Sequence, residues 1–290
     1  MKMKIFHFKP CYGIIWILKT YIPILFILFI WFNSAISISI VIVFPTYKEG
    51  KLHTVFVFFY YFGIVMTLYA YIKIMLSDPG KVTTSSVEYY LRKFKIKDRP
   101  KKEFCEICDI QRPERSHHCS KCGYCVLKMD HHCPWVKNCI GDKNQWIFQT
   151  LLFYALISGL MAGYVLIRDY MNGYCSPEVC DEKLWYFKHK SRLRILMVIL
   201  DIIDILGCGF LFFAQYQNVK YDRTTIESMR AMMKFRSTGE TMEVTLRGSI
   251  YESFAEVCGY EHPIWWFFPR RKRNDLLIDE EIIRLSEFKV

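Results

Sequence analysis

Residues 105–139 read CEICDIQRPERSHHCSKCGYCVLKMDHHCPWVKNC, and this stretch decides how the chain folds. It contains seven cysteines and four histidines at spacings typical of zinc sites. The cysteines are Cys105, Cys108, Cys119, Cys122, Cys125, Cys133 and Cys139, and the histidines are His117, His118, His131 and His132. Two tetrahedral zinc ions need eight protein ligands, so three of these eleven side chains are left over.

The wider segment 81–145 has too few aliphatic residues to build a hydrophobic core, so we expect bound metal to supply its folding energy. Two sites of three cysteines and one histidine each would use six cysteines and two histidines. One cysteine and two histidines would remain, and the spacing alone does not identify them. Thiolate ligands must stay reduced, which favours a reducing compartment for this segment.

Cys133 is the best candidate for a cysteine that reacts instead of binding metal. A nucleophilic cysteine needs a base within hydrogen-bond reach and a third group that orients the base. His131 precedes Cys133 by two positions, and Asp130 adjoins His131. The alternative is that Cys133 is a further ligand or a bystander. His117 fits a surface or supporting residue better than a catalyst.

Four apolar segments around this stretch are long enough to cross a bilayer. They are Tyr21–Phe44, Thr54–Leu76, Trp146–Ile167 and Leu193–Tyr216. The chain is 52% hydrophobic with a net charge of +11, which argues against two soluble α-rich domains and favours a membrane protein. We therefore predict an α-helical integral membrane protein with four transmembrane helices and a cytosolic cysteine-rich zinc-binding domain between spans two and three.

Positive charges predict the orientation of these spans. The segment 81–145 has fourteen Lys or Arg residues and the part after Tyr216 has twelve, whereas the 168–192 loop has five against four acids. The positive-inside rule places both termini and the zinc domain in the cytosol, and the 168–192 loop in the lumen or outside the cell. Cys175 and Cys180 then face the oxidising side, either as a disulfide or as two free thiols.

Asp201 and Asp204 are unusual because they lie within the fourth predicted span. Acids inside a membrane commonly have a function. Their i,i+3 spacing puts them on one helix face, where a structural polar contact explains them better than proton or ion movement. A small transporter built on these acids would leave the zinc domain unexplained.

The chain is expected to divide into five regions. These are a cytosolic N-terminal segment (1–20), spans one and two (21–76), the zinc domain (77–145), spans three and four with their luminal or extracellular loop (146–216), and a cytosolic C-terminal region (217–290). Within the last region, Trp265–Arg273 combines aromatic and basic residues, which is typical of an interfacial anchor.

The sequence resembles the DHHC family of protein S-acyltransferases, or palmitoyltransferases, over roughly residues 15–230. The matching residues are Arg112-Pro113-x-Arg115, His118-Cys119, Asp130-His131-His132-Cys133-Pro134-Trp135-Val136, Asn138-Cys139-Ile140-Gly141 and Asn144. Two further motifs also match, Asp78-Pro79-Gly80 after span two and Thr224-Thr225-Ile226-Glu227 after span four. Asp78, Thr225 and Glu227 are expected to pack the zinc domain on the membrane domain. Ser253 stands where the family usually has asparagine.

The resemblance implies two interleaved structural zinc sites. One site would take Cys105, Cys108, His118 and Cys125, and the other would take Cys119, Cys122, His132 and Cys139. The side chains left over are then His117, His131 and Cys133. This outcome agrees with the chemical argument for Asp130, His131 and Cys133 as the reacting group.

The resemblance also implies a reaction in two steps. A fatty acyl-CoA would acylate Cys133 while His131 moves the proton and Asp130 orients His131. A cytosolic cysteine of a membrane-associated protein would then take the acyl group. The expected partners are acyl-CoA, such proteins and the lipid bilayer, without nucleic acid. The expected location is the ER, the Golgi or the plasma membrane. The competing class is a membrane-anchored zinc module without catalysis, and acyl labelling of Cys133 distinguishes the two.

Overall fold

The computed structural model describes most of the predicted membrane and zinc regions. The described residues are 31, 35–36, 38–48, 50, 52–83, 87, 104–172, 190–239 and 249–269. Three helices in this part of the chain are long and apolar enough to cross a membrane. They are α2 (Thr54–Leu76), α3 (Gln145–Asn172) and α4 (Lys190–Lys220). Helices therefore form at the predicted second, third and fourth spans.

The predicted first span, Tyr21–Phe44, lies mostly outside the described residues. Its described end is helical, with a π-helical segment at Ser39–Val43 that leads into the short helix α1 (Phe44–Lys48). Ile38, Ile42 and Val43 are buried in one core cluster with residues of α2, α3 and α4. This segment therefore packs on the helix bundle. Residues 173–189 of the 168–192 loop, which include Cys175 and Cys180, lie outside the described residues.

Helices α3 and α4 approach each other closely at two glycines. A Cβ atom on Gly159 would lie 3.0 Å from Asp204 Oδ2, and one on Gly163 would lie 2.9 Å from Asp201 Oδ2. Glycines spaced four apart let two helices in a membrane pack tightly. The two intramembrane acids thus pack against backbone, which agrees with a structural contact for Asp201 and Asp204.

The cysteine-rich region consists of three short antiparallel hairpins. Their strands are β1 (Phe104–Cys105), β2 (Ile110–Gln111), β3 (His117–Cys119), β4 (Tyr124–Val126), β5 (His131–Cys133) and β6 (Asn138–Ile140). β1 pairs with β2, β3 with β4, and β5 with β6. Hairpins this short are not stable by themselves, so they need another source of stability such as bound metal.

The third hairpin rests on the end of α2 and the start of α3. Asn138 Nδ2 donates to the carbonyl oxygens of Ile74 and Ser77 at 2.9 and 2.8 Å. Asn144 Nδ2 donates to Ser77 Oγ at 3.1 Å and to the carbonyl of Cys139 at 2.9 Å. The end of α2 is thereby tied to β6 and to Asn144, the residue that precedes α3.

The chain beyond α4 forms α5 (Thr225–Thr238), α6 (Ile250–Cys258) and a 3₁₀ helix at Pro263–Phe267. The 3₁₀ segment packs on α3, because Trp146 Nε1 donates to the carbonyl of Phe268 at 3.2 Å and Tyr154 Oη to that of Phe267 at 2.7 Å. Ser253 is buried in α6 and donates to the Ser249 carbonyl at 3.3 Å. Residues 270–273 of the predicted anchor lie outside the described part.

Candidate active site and zinc sites

The structure brings the eight predicted metal ligands into two groups. The first group is Cys105, Cys108, His118 and Cys125, and the second is Cys119, Cys122, His132 and Cys139. Within each group the ligand atoms all lie within 4.8 Å of one another. Both groups could therefore hold a metal ion, and three thiols with one imidazole are a donor set typical of structural zinc.

The separations within each group fit a tetrahedral ion. Zinc–sulfur bonds of about 2.3 Å place the ligand atoms of a tetrahedron about 3.8 Å apart. His118 Nδ1 lies 3.6, 3.2 and 3.9 Å from the sulfurs of Cys105, Cys108 and Cys125. His132 Nδ1 lies 3.6, 3.4 and 3.7 Å from the sulfurs of Cys119, Cys122 and Cys139. Each group would enclose the ion with four protein ligands and leave no open position.

The alternation of side chains along a strand explains why the two groups interleave. Successive residues of a strand point to opposite faces. On β3, His118 therefore belongs to the first group and its neighbour Cys119 to the second. On β5, His132 belongs to the second group, so its neighbours His131 and Cys133 share the opposite face.

His131 and Cys133 meet beside the buried carboxylate of Asp130. His131 Nδ1 lies 2.7 Å from Asp130 Oδ2, and the Asp130 side chain is 0% exposed. Cys133 lies close enough to His131 for its thiol to contribute to the raised pKa of the imidazole. Because Nδ1 donates to Asp130, Nε2 is the nitrogen left for the Cys133 thiol. The predicted trio is thus assembled in one place, with Cys133 itself 4% exposed.

Asp130 receives further hydrogen bonds from residues that follow the zinc domain in the chain. The N–H of Thr225 donates to Oδ1 at 2.6 Å, and the Thr225 hydroxyl donates to Oδ2 at 2.8 Å. Gln215 Nε2 donates to Oδ2 at 2.8 Å, and Asn218 Nδ2 donates to Oδ1 at 3.4 Å. Thr225 is the first residue of α5, so the positive end of that helix also faces the carboxylate.

These contacts determine the charges of the pair. Burial raises the pKa of Asp130, but the hydrogen bond and charge of His131 and the N–H of Thr225 outweigh burial and lower that pKa below its ordinary value. Burial lowers the pKa of His131, but the hydrogen bonds to Asp130 and Cys133 outweigh burial and raise that pKa to about 9. His131 is therefore well suited to keep a proton that the Cys133 thiol releases.

The other predicted packing residues tie the zinc domain to the membrane helices. Arg115 Nε donates to Glu227 Oε1 at 2.7 Å, and Arg115 Nη1 donates to Asp222 at 3.1 Å. Asp78 Oδ1 accepts from the N–H groups of Gly80 and Lys81, each at 2.9 Å, which stabilises the turn after α2. Glu227 thus contacts the zinc domain and Thr225 binds a member of the trio, whereas these two bonds of Asp78 stay within its own turn.

His117 is separate from the trio and lies near two arginines. It is on β3, and burial together with the positive charges of Arg230 and Arg112 lowers its pKa below the ordinary value. Arg112 comes from the zinc domain and Arg230 from α5. His117 therefore lies within electrostatic reach of an arginine from each of these two elements, and of Glu227, whose charge opposes theirs.

Gln215 and Asn218 are site residues that the sequence reasoning missed. Both are buried near the C-terminal end of α4. The sequence feature that could have identified them is their i,i+3 spacing, which places two amides on one face at the end of an apolar helix. Buried amides need partners, and here that partner is Asp130.

Known proteins of one family are similar to this chain. The family model described as DHHC palmitoyltransferase matches residues 98–232. The palmitoyltransferase ZDHHC21 of Mus musculus is 32% identical over 254 residues, which are 87% of this chain and 90% of the relative. ZDHHC21 of Homo sapiens is 31% identical with the same coverage. The palmitoyltransferase ZDHHC7 of Rattus norvegicus is 29% identical over 212 residues, 71% of this chain and 64% of the relative.

Proposed function

Because this chain belongs to the DHHC palmitoyltransferase family, we propose that it moves a long-chain acyl group from acyl-CoA to protein cysteines through a thioester on Cys133. The chain is a membrane protein and a protein S-palmitoyltransferase. The observation that carries the site assignment is the Asp130–His131–Cys133 contact, which neither zinc group uses. The two ions would be structural, since they would fold the domain without an open coordination position.

The first step forms the acyl-enzyme. The Cys133 proton passes to His131 Nε2 while Cys133 Sγ attacks the carbonyl carbon of the acyl-CoA thioester. The bond between that carbon and the CoA sulfur breaks, and the departing CoA thiolate takes the proton from His131. Asp130 stabilises the imidazolium that forms and fixes its orientation through the 2.7 Å hydrogen bond.

The second step transfers the acyl group to the protein substrate. A cysteine thiol of the acceptor gives its proton to His131 and attacks the thioester carbon on Cys133. The bond between that carbon and Cys133 Sγ breaks, and Cys133 recovers a proton from His131. The enzyme returns to its starting state, so each turnover uses one acyl-CoA and releases free CoA.

The position of Cys133 suits an acyl chain that stays in the membrane. Cys133 is buried in a cluster with Ala70 and Ile74 of α2 and Phe148 of α3, at the ends of both helices that adjoin the zinc domain. Burial of each CH2 group contributes about 0.8 kcal/mol, so a long chain is best accommodated among the spans. The proposal includes four spans, a cytosolic catalytic face and termini, membrane-associated protein substrates, and residence in the ER, the Golgi or the plasma membrane.

The proposed activity can be tested by isolating the acyl-enzyme. Purified protein incubated with labelled palmitoyl-CoA is expected to retain label that hydroxylamine removes, and peptide mass spectrometry is expected to find it on Cys133. The isolated acyl-enzyme should then transfer its label to a lipidated acceptor peptide that contains cysteine. The matched control is the same peptide with serine in place of cysteine. Label that resists hydroxylamine, or that never leaves the protein, would contradict the proposal.

Replacing Gln215 with leucine is expected to slow acyl-enzyme formation by about 10- to 100-fold, because a hydrogen bond to a charged group contributes about 1.5–3 kcal/mol. The KM for acyl-CoA should not change, since the side-chain partners of Gln215 are Asp130 and Gln145, and neither is proposed to bind CoA. Single-turnover labelling at several acyl-CoA concentrations separates the two quantities. Gln217→Leu is the control, because two residues along a helix turn the side chain by about 200°. An equal loss in both variants would contradict this role for Gln215.

We propose that Arg112 and Arg230, whose charges both act on His117, contribute to binding the phosphates of acyl-CoA. Replacing both arginines with glutamine is expected to raise the KM for palmitoyl-CoA by about tenfold, because two charge-assisted contacts are lost. The palmitoyl thioester of N-acetylcysteamine has no phosphates, so its rate of reaction should not change. A similar loss with both thioesters would show that the arginines act on the fold instead of on CoA.

A further inference from the structure

One charge that develops during the reaction has no hydrogen-bond donor within the trio. When Cys133 Sγ attacks the thioester, the carbonyl oxygen of the acyl group becomes an oxyanion. Donors aimed at such an oxygen make one of the largest contributions to the catalysis of acyl transfer. His131 is committed to the thiol proton, and the ionised carboxylate of Asp130 can only accept hydrogen bonds. The donor must therefore come from another group near Cys133.

Tyr71 of α2 carries a hydroxyl group beside Cys133. Its side chain is 7% exposed and belongs to the same buried cluster as Cys133. No other described member of this cluster has an O–H or N–H group on its side chain. Tyr71 and Cys133 also lie within electrostatic reach of each other. Tyr71 Oη donates to the carbonyl oxygen of Trp135 at 2.7 Å, so the hydroxyl is held against the chain two residues after the nucleophile.

Two buried amides near the trio are less suitable donors. Asn138 pairs with Cys133 across the hairpin, but both hydrogens of its amide are donated to carbonyl groups at the end of α2. Gln149 Nε2 is buried without a partner among the described residues. Gln149 follows Gln145 by one helical turn, however, and shares the face that Gln145 turns toward α4. Among these side chains, Tyr71 is the donor that lies in the cluster with Cys133 and can change its partner.

The hydrogen bond that Tyr71 makes to Trp135 can be exchanged when charge develops. A hydroxyl hydrogen rotates about the C–O bond to suit the acceptors around it. The Trp135 carbonyl is neutral, whereas a hydrogen bond to an ionised acceptor is shorter and about twice as strong. The exchange is therefore favourable in the transition state but not in the ground state. An interaction that is stronger in the transition state raises the rate of the chemical step.

We propose that Tyr71 Oη donates a hydrogen bond to the thioester oxygen as the oxyanion forms. When Cys133 Sγ attacks, an electron pair of the C=O double bond moves to that oxygen, and the Tyr71 hydroxyl turns to it from the Trp135 carbonyl. When the pair re-forms the double bond, the CoA sulfur departs and the hydroxyl returns to Trp135. Tyr71 keeps its proton throughout, so it stabilises charge without acting as an acid. Because this role needs an acyl-enzyme on Cys133, it rests on the proposed function.

The first test compares Tyr71→Phe with Tyr69→Phe in the full-length protein. Both variants remove one hydroxyl from α2, but Tyr69 is 48% exposed and lies about 200° around the helix from Tyr71. In single-turnover labelling with palmitoyl-CoA, Tyr71→Phe is expected to lower the maximal rate of acyl-enzyme formation by about 10- to 100-fold. The palmitoyl-CoA concentration that gives half of this rate should change by less than about twofold, because the hydrogen bond forms only in the transition state. Tyr69→Phe should match the wild type in both quantities.

A second substrate separates charge stabilisation from simple positioning of the loop after Cys133. In the dithioester analogue of palmitoyl-CoA, sulfur replaces the carbonyl oxygen and accepts a much weaker hydrogen bond. Tyr71→Phe should therefore slow the thioester reaction at least about fivefold more than the dithioester reaction. A variant with 3-fluorotyrosine at position 71 keeps the ring and the hydroxyl, so it guards against a folding defect. Its hydroxyl is the stronger donor, and it should raise the rate with the thioester by about twofold without raising the rate with the dithioester.

Several results would overturn the role of Tyr71. These are a Tyr71→Phe rate within about twofold of the wild type, an equal loss with the two substrates, or an equal loss in Tyr69→Phe. The yield of hydroxylamine-sensitive label on the wild-type protein tests the proposed function separately. Absence of that label would overturn the proposed function together with this role, whereas normal wild-type labelling with equal losses for both substrates would overturn the role of Tyr71 alone.

Discussion

Replacing Cys133 with serine is expected to lower acyl-enzyme formation from palmitoyl-CoA by at least about a thousandfold, because a thiolate is a far stronger nucleophile than a hydroxyl group. The substitution changes one atom at a buried position, so the contacts of β5 with β6 should survive. The zinc content should also survive, since Cys133 lies on the opposite strand face from the ligand His132. Rapid-quench labelling with palmitoyl-CoA measures the rate, and atomic absorption measures the zinc.

Two matched cysteine variants separate loss of the nucleophile from loss of the fold. Cys258→Ser removes another buried thiol, which lies in α6 away from the trio, and is expected to label at the wild-type rate. Cys108→Ser removes a ligand of the first zinc group and is expected to lose metal. Equal labelling of wild type and Cys133→Ser would refute the catalytic assignment. A Cys133→Ser protein that loses zinc would instead make Cys133 a ligand.

The geometry of the trio was predictable because it is local. Asp130, His131 and Cys133 are adjacent in sequence, and the alternation of a strand separates His131 and Cys133 from His132. The grouping of the eight ligands followed from the family resemblance, since spacing alone left several pairings open. The three apolar helices were predictable from length and composition.

The partners of Asp130 were not predictable, because they come from distant parts of the chain. Gln215, Asn218 and Thr225 are 85, 88 and 95 residues from Asp130 in sequence. Their contact depends on how the zinc domain docks on α4, which no local pattern specifies. The resemblance indicated that Thr225 lies between the domains, but it did not indicate that its hydroxyl and N–H both bind the carboxylate.

This docking makes the reacting group depend on two separately built parts of the protein. The hairpin β5–β6 supplies His131 and Cys133, whereas α4 and α5 supply most of the hydrogen bonds that fix Asp130. Arg115 reinforces the same junction. It binds Asp222, which lies between α4 and α5, and Glu227, which lies in α5. A carboxylate that is buried without these donors would cost free energy, so the trio is complete only when the domains are docked.

Replacing Cys122 with serine is expected to reduce the zinc content from two ions per chain to one and to lower acyl-enzyme formation by at least about a hundredfold. Cys122 belongs to the second zinc group, in which His132 and Cys139 face each other across the β5–β6 hairpin. Structural zinc contributes about 10–16 kcal/mol to the folding of a small domain, which is more than a hairpin of three-residue strands can replace. Without the ion, β5 is no longer anchored, and His131 and Cys133 lose their common orientation.

The companion variant Cys108→Ser provides a sharp comparison, because both variants remove one ligand from a site of the same composition. The first zinc group links β1–β2 to β3 and β4 and has no ligand on β5 or β6. Its loss should therefore also leave one ion per chain but should slow acyl-enzyme formation less than the loss of the second site does. Limited proteolysis should locate the opened segment near 104–111 in Cys108→Ser and near 131–140 in Cys122→Ser. If both variants had the same effect on the rate and on the cleavage pattern, the two ions would stabilise the domain as one unit. If Cys122→Ser still bound two ions, Cys122 would not be a zinc ligand.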